Sequence, residues 1–132
     1  MPRRYVLDTH ACVFLLAAPR KLGARARRVL ERVESGRDEA WIPAAVAAEI
    51  VLLHELGRIR IGLPQLRETL DSVPGLRFLP LDLEQLDQFA ALASIRDPFD
   101  RLIISAARSV KADLISRDEE LAESGLTRIV WA

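Results

Sequence analysis

The 132-residue sequence contains a single cysteine, Cys12, and this excludes an internal disulfide framework. Cys12 lies in an apolar run and is expected to be a small buried side chain. No window reaches the roughly 18 consecutive apolar residues that a transmembrane helix requires, and the first residues do not form a signal peptide. We therefore expect a cytoplasmic protein with no membrane partner.

The chain also has no formal net charge, because its 19 Lys and Arg residues balance its 19 Asp and Glu residues. This balance argues against a strongly basic, non-specific nucleic-acid coat but leaves room for a local basic patch. Lysine is scarce, and Lys21 and Lys111 are the only two. Arginine suits bidentate contacts to phosphate or carboxylate, although a GC-rich genome is a simpler explanation of the bias.

The order of apolar segments indicates one α/β domain over residues 1–132. Strands are predicted over residues 4–7, 40–42, 76–79, 113–116 and 128–131. Helices are predicted over residues 11–16, 24–34, 44–56, 64–71, 83–94, 98–110 and 119–124. Asp82 is expected to cap the helix after it, with Gln85 completing a capping box. Strands that alternate with helices predict an α/β sandwich around a mainly parallel sheet.

Five acids fall where such a sheet binds ligands, outside the carboxyl ends of its strands. Asp8 directly follows the first strand, and Asp118 follows the fourth. Asp97 and Asp100 lie at the start of a helix. Glu49 is the only charged residue between positions 42 and 53 of an otherwise apolar helix. Burying such a carboxylate unpaired would cost several kcal/mol, so a buried Glu49 needs a proton, a hydrogen-bond network or a cation.

Each acid also has an ordinary structural explanation when it is taken alone. Asp8 can end a strand in a turn, and Glu49 can be a solvated or capping glutamate. Asp97, Asp100 and Asp118 can cap the helices that follow them. Together, however, they are hard oxygen ligands from distant parts of the chain that are expected to face one edge of one sheet.

A cluster of this kind cannot ionise fully without compensation, because like charges raise one another's pKa. A divalent cation removes the conflict, and oxygen-only ligation favours Mg²⁺ or Mn²⁺ over Zn²⁺. The hydroxyls of Thr9 and Ser116, which lie beside Asp8 and Asp118, can orient a carboxylate or a bound water. Ordinary turn and strand hydroxyls explain these two residues as well.

Four segments of the chain carry a family resemblance. They are Tyr-Val-Leu-Asp-Thr-His-Ala at 5–11, Pro-Ala-Ala-Val-Ala-Ala-Glu-Ile at 43–50, Arg-Asp-Pro-Phe-Asp-Arg-Leu-Ile-Ile-Ser-Ala-Ala at 96–107 and Leu-Ile-Ser-Arg-Asp-Glu-Glu-Leu at 114–121. With these segments the sequence resembles the PIN-domain nucleases, and among them the VapC toxins of bacterial toxin–antitoxin pairs. The order and spacing of the segments cover nearly the whole chain.

The resemblance implies a three-layer α/β/α PIN-like domain, commonly a homodimer, that acts as an endoribonuclease with Mg²⁺ or Mn²⁺. It carries the metal-ligand roles onto Asp8, Glu49, Asp100 and Asp118. Asp97 is an extra acid that either caps the helix or takes part directly. The chain departs from many relatives at Ala48, at positions 95–96 and at Ala106, and these departures concern the substrate and not the metal site.

The implied reaction is attack on the RNA phosphodiester by a metal-activated water, which leaves 5′-phosphate and 3′-hydroxyl ends. Basic groups that can surround the acids and bind RNA are Arg96, Arg101 and Arg117, although Arg101 can instead pair with Asp100. His10 is expected to have a packing or supporting role.

A cognate VapB-like antitoxin is the implied partner. Such partners insert a helix into apolar grooves, and four leucines are candidates for the groove: Leu15, Leu16, Leu52 and Leu56. Core packing is the commoner role of leucines.

Two other functions stay open at this point. The first is a catalytically silent PIN-fold module that binds RNA. The second is a receiver-like phospho-acceptor domain, which also places an aspartate and a metal at the end of a parallel strand. A receiver-like domain requires a pair of acids before the first helix, whereas this chain has only Asp8 there.

Overall fold

A five-stranded sheet forms the centre of the structure, a computed structural model that describes all residues, Met1–Ala132. Its strands are β1 (Arg4–Leu7), β2 (Glu39–Pro43), β3 (Leu76–Leu79), β4 (Asp113–Ile115) and β5 (Ile129–Val130). They are ordered β3-β2-β1-β4-β5, and every neighbouring pair is parallel. The sheet that the sequence predicts as mainly parallel is therefore parallel throughout.

Seven helices flank this sheet. They are α1 (Thr9–Ala17), α2 (Ala24–Glu34), α3 (Ala44–Glu55), α4 (Leu63–Ser72), α5 (Leu83–Ala91), α6 (Pro98–Ser109) and α7 (Glu119–Ser124). A single 3-10 turn, Pro19–Lys21, follows α1 and was not expected from the sequence. The three-layer α/β/α architecture is confirmed. None of the helices combines the length and the apolar character needed to cross a membrane.

The last two residues of β1 and the last two of β4 are apolar, and this fixes the place of both strands in the fold. Val6 and Leu7 of β1 are fully buried, as are Leu114 and Ile115 of β4. Helices cover both faces of a parallel sheet, so its inner strands are apolar on both sides. The ends of β1 and β4 therefore project from the most rigid part of the core.

The boundary between β1 and β4 is the point at which the strand order reverses. From β1 the chain adds β2 and β3 on one side, and it then returns to add β4 and β5 on the other. Leu7 pairs with Ile115, and the amide of Asp8 donates to the Ile115 carbonyl at 3.1 Å. Open α/β sheets bind ligands at such a switch point.

The capping box predicted for α5 forms only in half. Asp82 Oδ1 accepts from the Gln85 amide at 2.9 Å, as expected. The Gln85 side chain does not return to Asp82 but donates to the Pro80 carbonyl at 2.7 Å. Gln85 is buried, and the loop carbonyl of Pro80 satisfies its side-chain amide there.

Candidate metal centre

A cavity of about 400 Å³ at this switch point is lined mostly by polar side chains. Its lining residues are Asp8, Thr9, His10, Glu49, Asp97, Asp100, Ile103, Arg117 and Asp118. The structure thus brings all five acids singled out in the sequence into one cavity. They come from the starts of α1, α6 and α7 and from the middle of α3.

Asp8 is the most buried of these acids, with 8% of its surface exposed. It caps α1, since its Oδ1 accepts from the Ala11 amide at 2.8 Å. Burial raises its pKa, and the charge of Asp118 adds to the rise. Hydrogen bonds from Ser116 and from the Ala11 amide, together with His10, oppose the rise without cancelling it. Asp8 is therefore held in the cavity at an electrostatic cost.

Asp97 and Asp118 also cap helices, as their ordinary structural explanation requires. Asp97 Oδ1 accepts from the Asp100 amide at 3.0 Å at the start of α6. Asp118 Oδ1 accepts from the amides of Glu120 and Leu121 at 2.9 and 3.2 Å. Capping and lining the cavity are compatible, because each carboxylate uses only one oxygen in its cap.

Two hydroxyls bond to residues of the cavity and link the elements that carry them. Thr9, 4% exposed, donates through Oγ1 to Oε1 of the partly buried Glu49. Ser116 is fully buried, and its Oγ accepts from the Asp118 amide at 3.1 Å while its hydroxyl group bonds to Asp8. Thr9 therefore joins α1 to α3, and Ser116 joins the ends of β1 and β4.

The pKa of Asp100 shows the repulsion within the cluster most clearly. Its pKa is raised to about 6, chiefly by burial and then by the charges of Asp97, Asp118, Glu49 and Asp8, in that order. The four neighbouring carboxylates act on one group, so the cavity cannot hold five full negative charges without opposition. A cation in the cavity would relieve it.

The donor set fits a hard divalent cation in its chemistry. It consists of carboxylate oxygens, and Cys12 is no competitor, because burial and the nearby Asp8 raise the pKa of its thiol to about 12. The side chains do not form a closed cage, since no group of three or more Asp, Glu, His or Cys is arranged to hold a metal ion directly. Mg²⁺ is usually bound by one or two carboxylates and keeps several waters, so it does not require such a cage.

Of the three arginines expected to bind RNA, only Arg117 lines the cavity. Its guanidinium carbon lies 5.0 Å from the centroid of the Phe14 ring. Arg101 Nε donates to the Phe89 carbonyl at 2.8 Å, and its guanidinium lies 4.0 Å from the Phe89 ring centroid. It therefore packs α6 on α5 and forms no ion pair with Asp100. Arg96 is exposed and lies outside the cavity lining.

Two residues of the site were missed in the sequence. Ile103 forms the one apolar part of the cavity lining. Its spacing of three residues from Asp100 on a helix is a signal that could have placed it on the same face. Phe14, which supports Arg117, gave no such signal, since its contact crosses from α1 to the loop after β4.

The comparisons with known proteins agree with this architecture. A family model described as the PIN domain matches residues 5–125. No curated protein matches the sequence significantly. Among solved structures, VapBC2 from Rickettsia felis bound to a DNA fragment from its promoter is 16% identical, with a TM-score of 0.72 over 98% of this chain and 99% of that one.

Two further structures are similar over nearly their full length. DNA-bound VapBC from Salmonella typhimurium is 20% identical, with a TM-score of 0.67 over 98% of this chain and 97% of that one. VapC20 from Mycobacterium tuberculosis, described as a sarcin–ricin loop cleaving toxin, is 16% identical, with a TM-score of 0.64 over 92% of this chain and 95% of that one. At these identities the likeness shows a shared fold.

Proposed function

Because the chain belongs to the PIN-domain family, we propose that it is a Mg²⁺- or Mn²⁺-dependent endoribonuclease that hydrolyses RNA phosphodiester bonds. The observation that carries this proposal is the convergence of five carboxylates in one cavity at the switch point of the sheet. The raised pKa of Asp100 supports it, since the cluster is strained in a way that a divalent cation would relieve.

Asp8, Glu49, Asp100 and Asp118 would hold the cation. When bound, the ion would lower the pKa of a coordinated water and neutralise charge on a phosphodiester oxygen. The hydrogen bond from Thr9 keeps Glu49 turned towards the start of α1. Ser116 fixes Asp118 relative to Asp8. Asp97 caps α6 and adds negative charge beside Asp100.

We further propose that the protein is a VapC-like toxin, cytoplasmic and homodimeric, neutralised by a VapB-like antitoxin. The similar structures from Rickettsia felis and Salmonella typhimurium are VapBC assemblies. Near the end of α3, Leu52 and Leu56 are 44% and 68% exposed. Leu15 and Leu16 of α1, which packs against α3, are partly buried. Exposed apolar side chains of this kind suit the apolar face of a partner helix.

Neither alternative function is favoured by a specific observation. A silent RNA-binding module has no need of five mutually repelling carboxylates in one cavity. A receiver-like domain has the flavodoxin-like strand order 2-1-3-4-5, whereas the order here is 3-2-1-4-5.

Substitution of Asp8 tests the proposed activity. Asn keeps the helix-capping ability of Asp, so D8N should fold normally while losing a ligand charge. We expect Mn²⁺-dependent cleavage of RNA to fall by about a hundredfold or more. The matched control is D71N, which removes an exposed carboxylate of α4 outside the cavity and should cleave like the wild type.

Unchanged cleavage by D8N would remove Asp8 from the mechanism. Cleavage that continues in EDTA would contradict the metal dependence. RNA binding by the wild type without any cleavage would favour the silent module.

A further inference from the structure

A pair of unpartnered cations lies around the Phe14 ring at the rim of the acidic cavity. The Arg117 guanidinium carbon is 5.0 Å from the ring centroid, and Lys21 Nζ is 5.7 Å from it. Both distances are within the range of a cation–π contact, about 6 Å. The two charges are therefore separated by no more than the sum of these two distances.

Neither cation pairs with an acidic side chain. The chain has four ion pairs, and none of them includes Lys21 or Arg117. Their side chains also make no hydrogen bond, and both residues are exposed. The absence of an ion pair is unexpected for Arg117, because Arg117 lines the same cavity as the five acids. An arginine that served only to neutralise the cluster would be paired with a carboxylate.

The Phe14 ring explains why Arg117 stays free. Phe14 is 7% exposed and is itself held by Trp131, whose ring centroid is 6.3 Å away and tilted by 50°. A ring fixed in this way offers both cations a defined resting position without consuming their hydrogen-bond donors. Because Phe14 is almost buried, it cannot serve as a stacking platform for a base.

We infer that Arg117 and Lys21 form a phosphate-binding subsite that holds the backbone of the RNA strand beside the cavity. This inference rests on the proposed ribonuclease function. The five acids repel an RNA strand, so the strand needs fixed positive charge next to the cavity to approach it. Arg117 supplies that charge at the cavity rim, and Lys21, after α1, extends it along one side. The contacts are to phosphate, so they position the strand and do not read its sequence.

The test measures RNA binding separately from RNA cleavage. A fluorescein-labelled single-stranded oligouridylate is titrated in EDTA at several KCl concentrations, and its anisotropy gives the affinity. We expect R117A and K21A each to weaken binding several-fold at low salt. Each should also lower the slope of log affinity against log salt by about 0.7, the value for one phosphate contact of a single strand.

Two control variants make the result specific. K21R keeps the charge and the cation–π contact, so it should bind like the wild type. R58A removes an exposed arginine that does not line the cavity and should change neither affinity nor salt slope. A replacement of the oligouridylate by an oligoadenylate should leave the size of the R117A and K21A effects unchanged.

The subsite is overturned if R117A and K21A bind as tightly as the wild type and with the same salt slope. It is also overturned if R58A weakens binding as much as they do, since the effect would then be one of general charge. These results are distinct from a failure of the proposed activity, which D8N reports through cleavage by the Mn²⁺-loaded protein.

Discussion

Three of the five cavity acids use a carboxylate oxygen to cap a helix. Asp8 caps α1, Asp97 caps α6 and Asp118 caps α7. Amide groups at a helix start stabilise a carboxylate in its ionised form. The same bonds fix the position of each carboxylate through the backbone, so the charge of the cavity is held where the helices begin.

Asp100, like Glu49, caps no helix, and its neutralisation should stabilise the metal-free protein. Its pKa is raised from 3.8 to about 6 in the fold, so the folded state holds its proton more tightly than the unfolded state does. The penalty is absent below pH 3.8, grows as the pH rises towards 6 and is complete above it. Asp100→Asn should therefore raise the free energy of unfolding by about 1–2 kcal/mol at pH 8, after allowance for solvent screening of a partly exposed group.

The measurement is urea denaturation in EDTA at a series of pH values. The gain of D100N over the wild type should vanish towards pH 4, and D71N, which alters an exposed carboxylate outside the cluster, should show no such trend. A D100N midpoint that equals the wild-type midpoint at pH 8 would contradict the repulsion argument.

At the scale of elements, local signals carry most of the information. β1, α2, β3 and α7 begin and end at the predicted residues, because turn residues and apolar runs bound them clearly. The helix α5 was expected to reach about Ser94 but ends at Ala91, where the Leu92 amide bonds back to the Phe89 carbonyl in a tighter turn. That turn depends on how α5 packs against α6, which the local sequence does not specify.

The site shows the same division between local and long-range information. The acids could be placed from strand ends and helix starts, since those positions are local. The bond from Thr9 to Glu49 spans 40 residues, and the contact of Arg117 with Phe14 depends on the loop after β4 reaching α1. Partners of this kind are set by the packing of α1 against α3 and β4, so periodicity alone could not identify them.

Gly75, just before β3, provides a test of how tightly the elements fit. A Cβ at this position would lie 2.4 Å from the backbone carbonyl oxygens of Val33 and Asp38. Those atoms belong to the end of α2 and its connection to β2, so they cannot move without shifting both elements. Gly75→Ala should therefore destabilise the fold by about 2–3 kcal/mol.

Gly62→Ala is the matched control. Its new Cβ would lie 3.5 Å from the His54 ring, an ordinary contact, and the change should cost less than about 1 kcal/mol. Urea denaturation of both variants measures the difference. Equal midpoints for G75A and G62A would show that the junction of α2, β2 and β3 is looser than these distances imply.

For the whole molecule, the balance of 19 acidic and 19 basic residues conceals an uneven distribution of charge. Five of the acids meet at the carboxyl end of the sheet, and they lie at the starts of α1, α6 and α7 and within α3. Repulsion among them opposes the closing of these four helices around the end of β1. The function proposed here therefore costs the metal-free fold some of its stability, which is a frequent feature of active sites.

Binding of the cation should remove this repulsion and stabilise the folded chain, because the ligands come from distant parts of the sequence. A ligand that binds only the folded state stabilises it by about 2.7 kcal/mol when present at a hundredfold excess over its Kd. We expect the melting temperature in Mn²⁺ at that excess to be higher than the melting temperature in EDTA. D8N should lose most of this increase, whereas D71N should keep it.

The increase should be larger at pH 7 than at pH 5, because Asp100, with a pKa of about 6, must give up its proton to act as a ligand. Scanning calorimetry at the two pH values measures both effects, and an equal rise in D8N and wild type would place the bound ion outside this cavity.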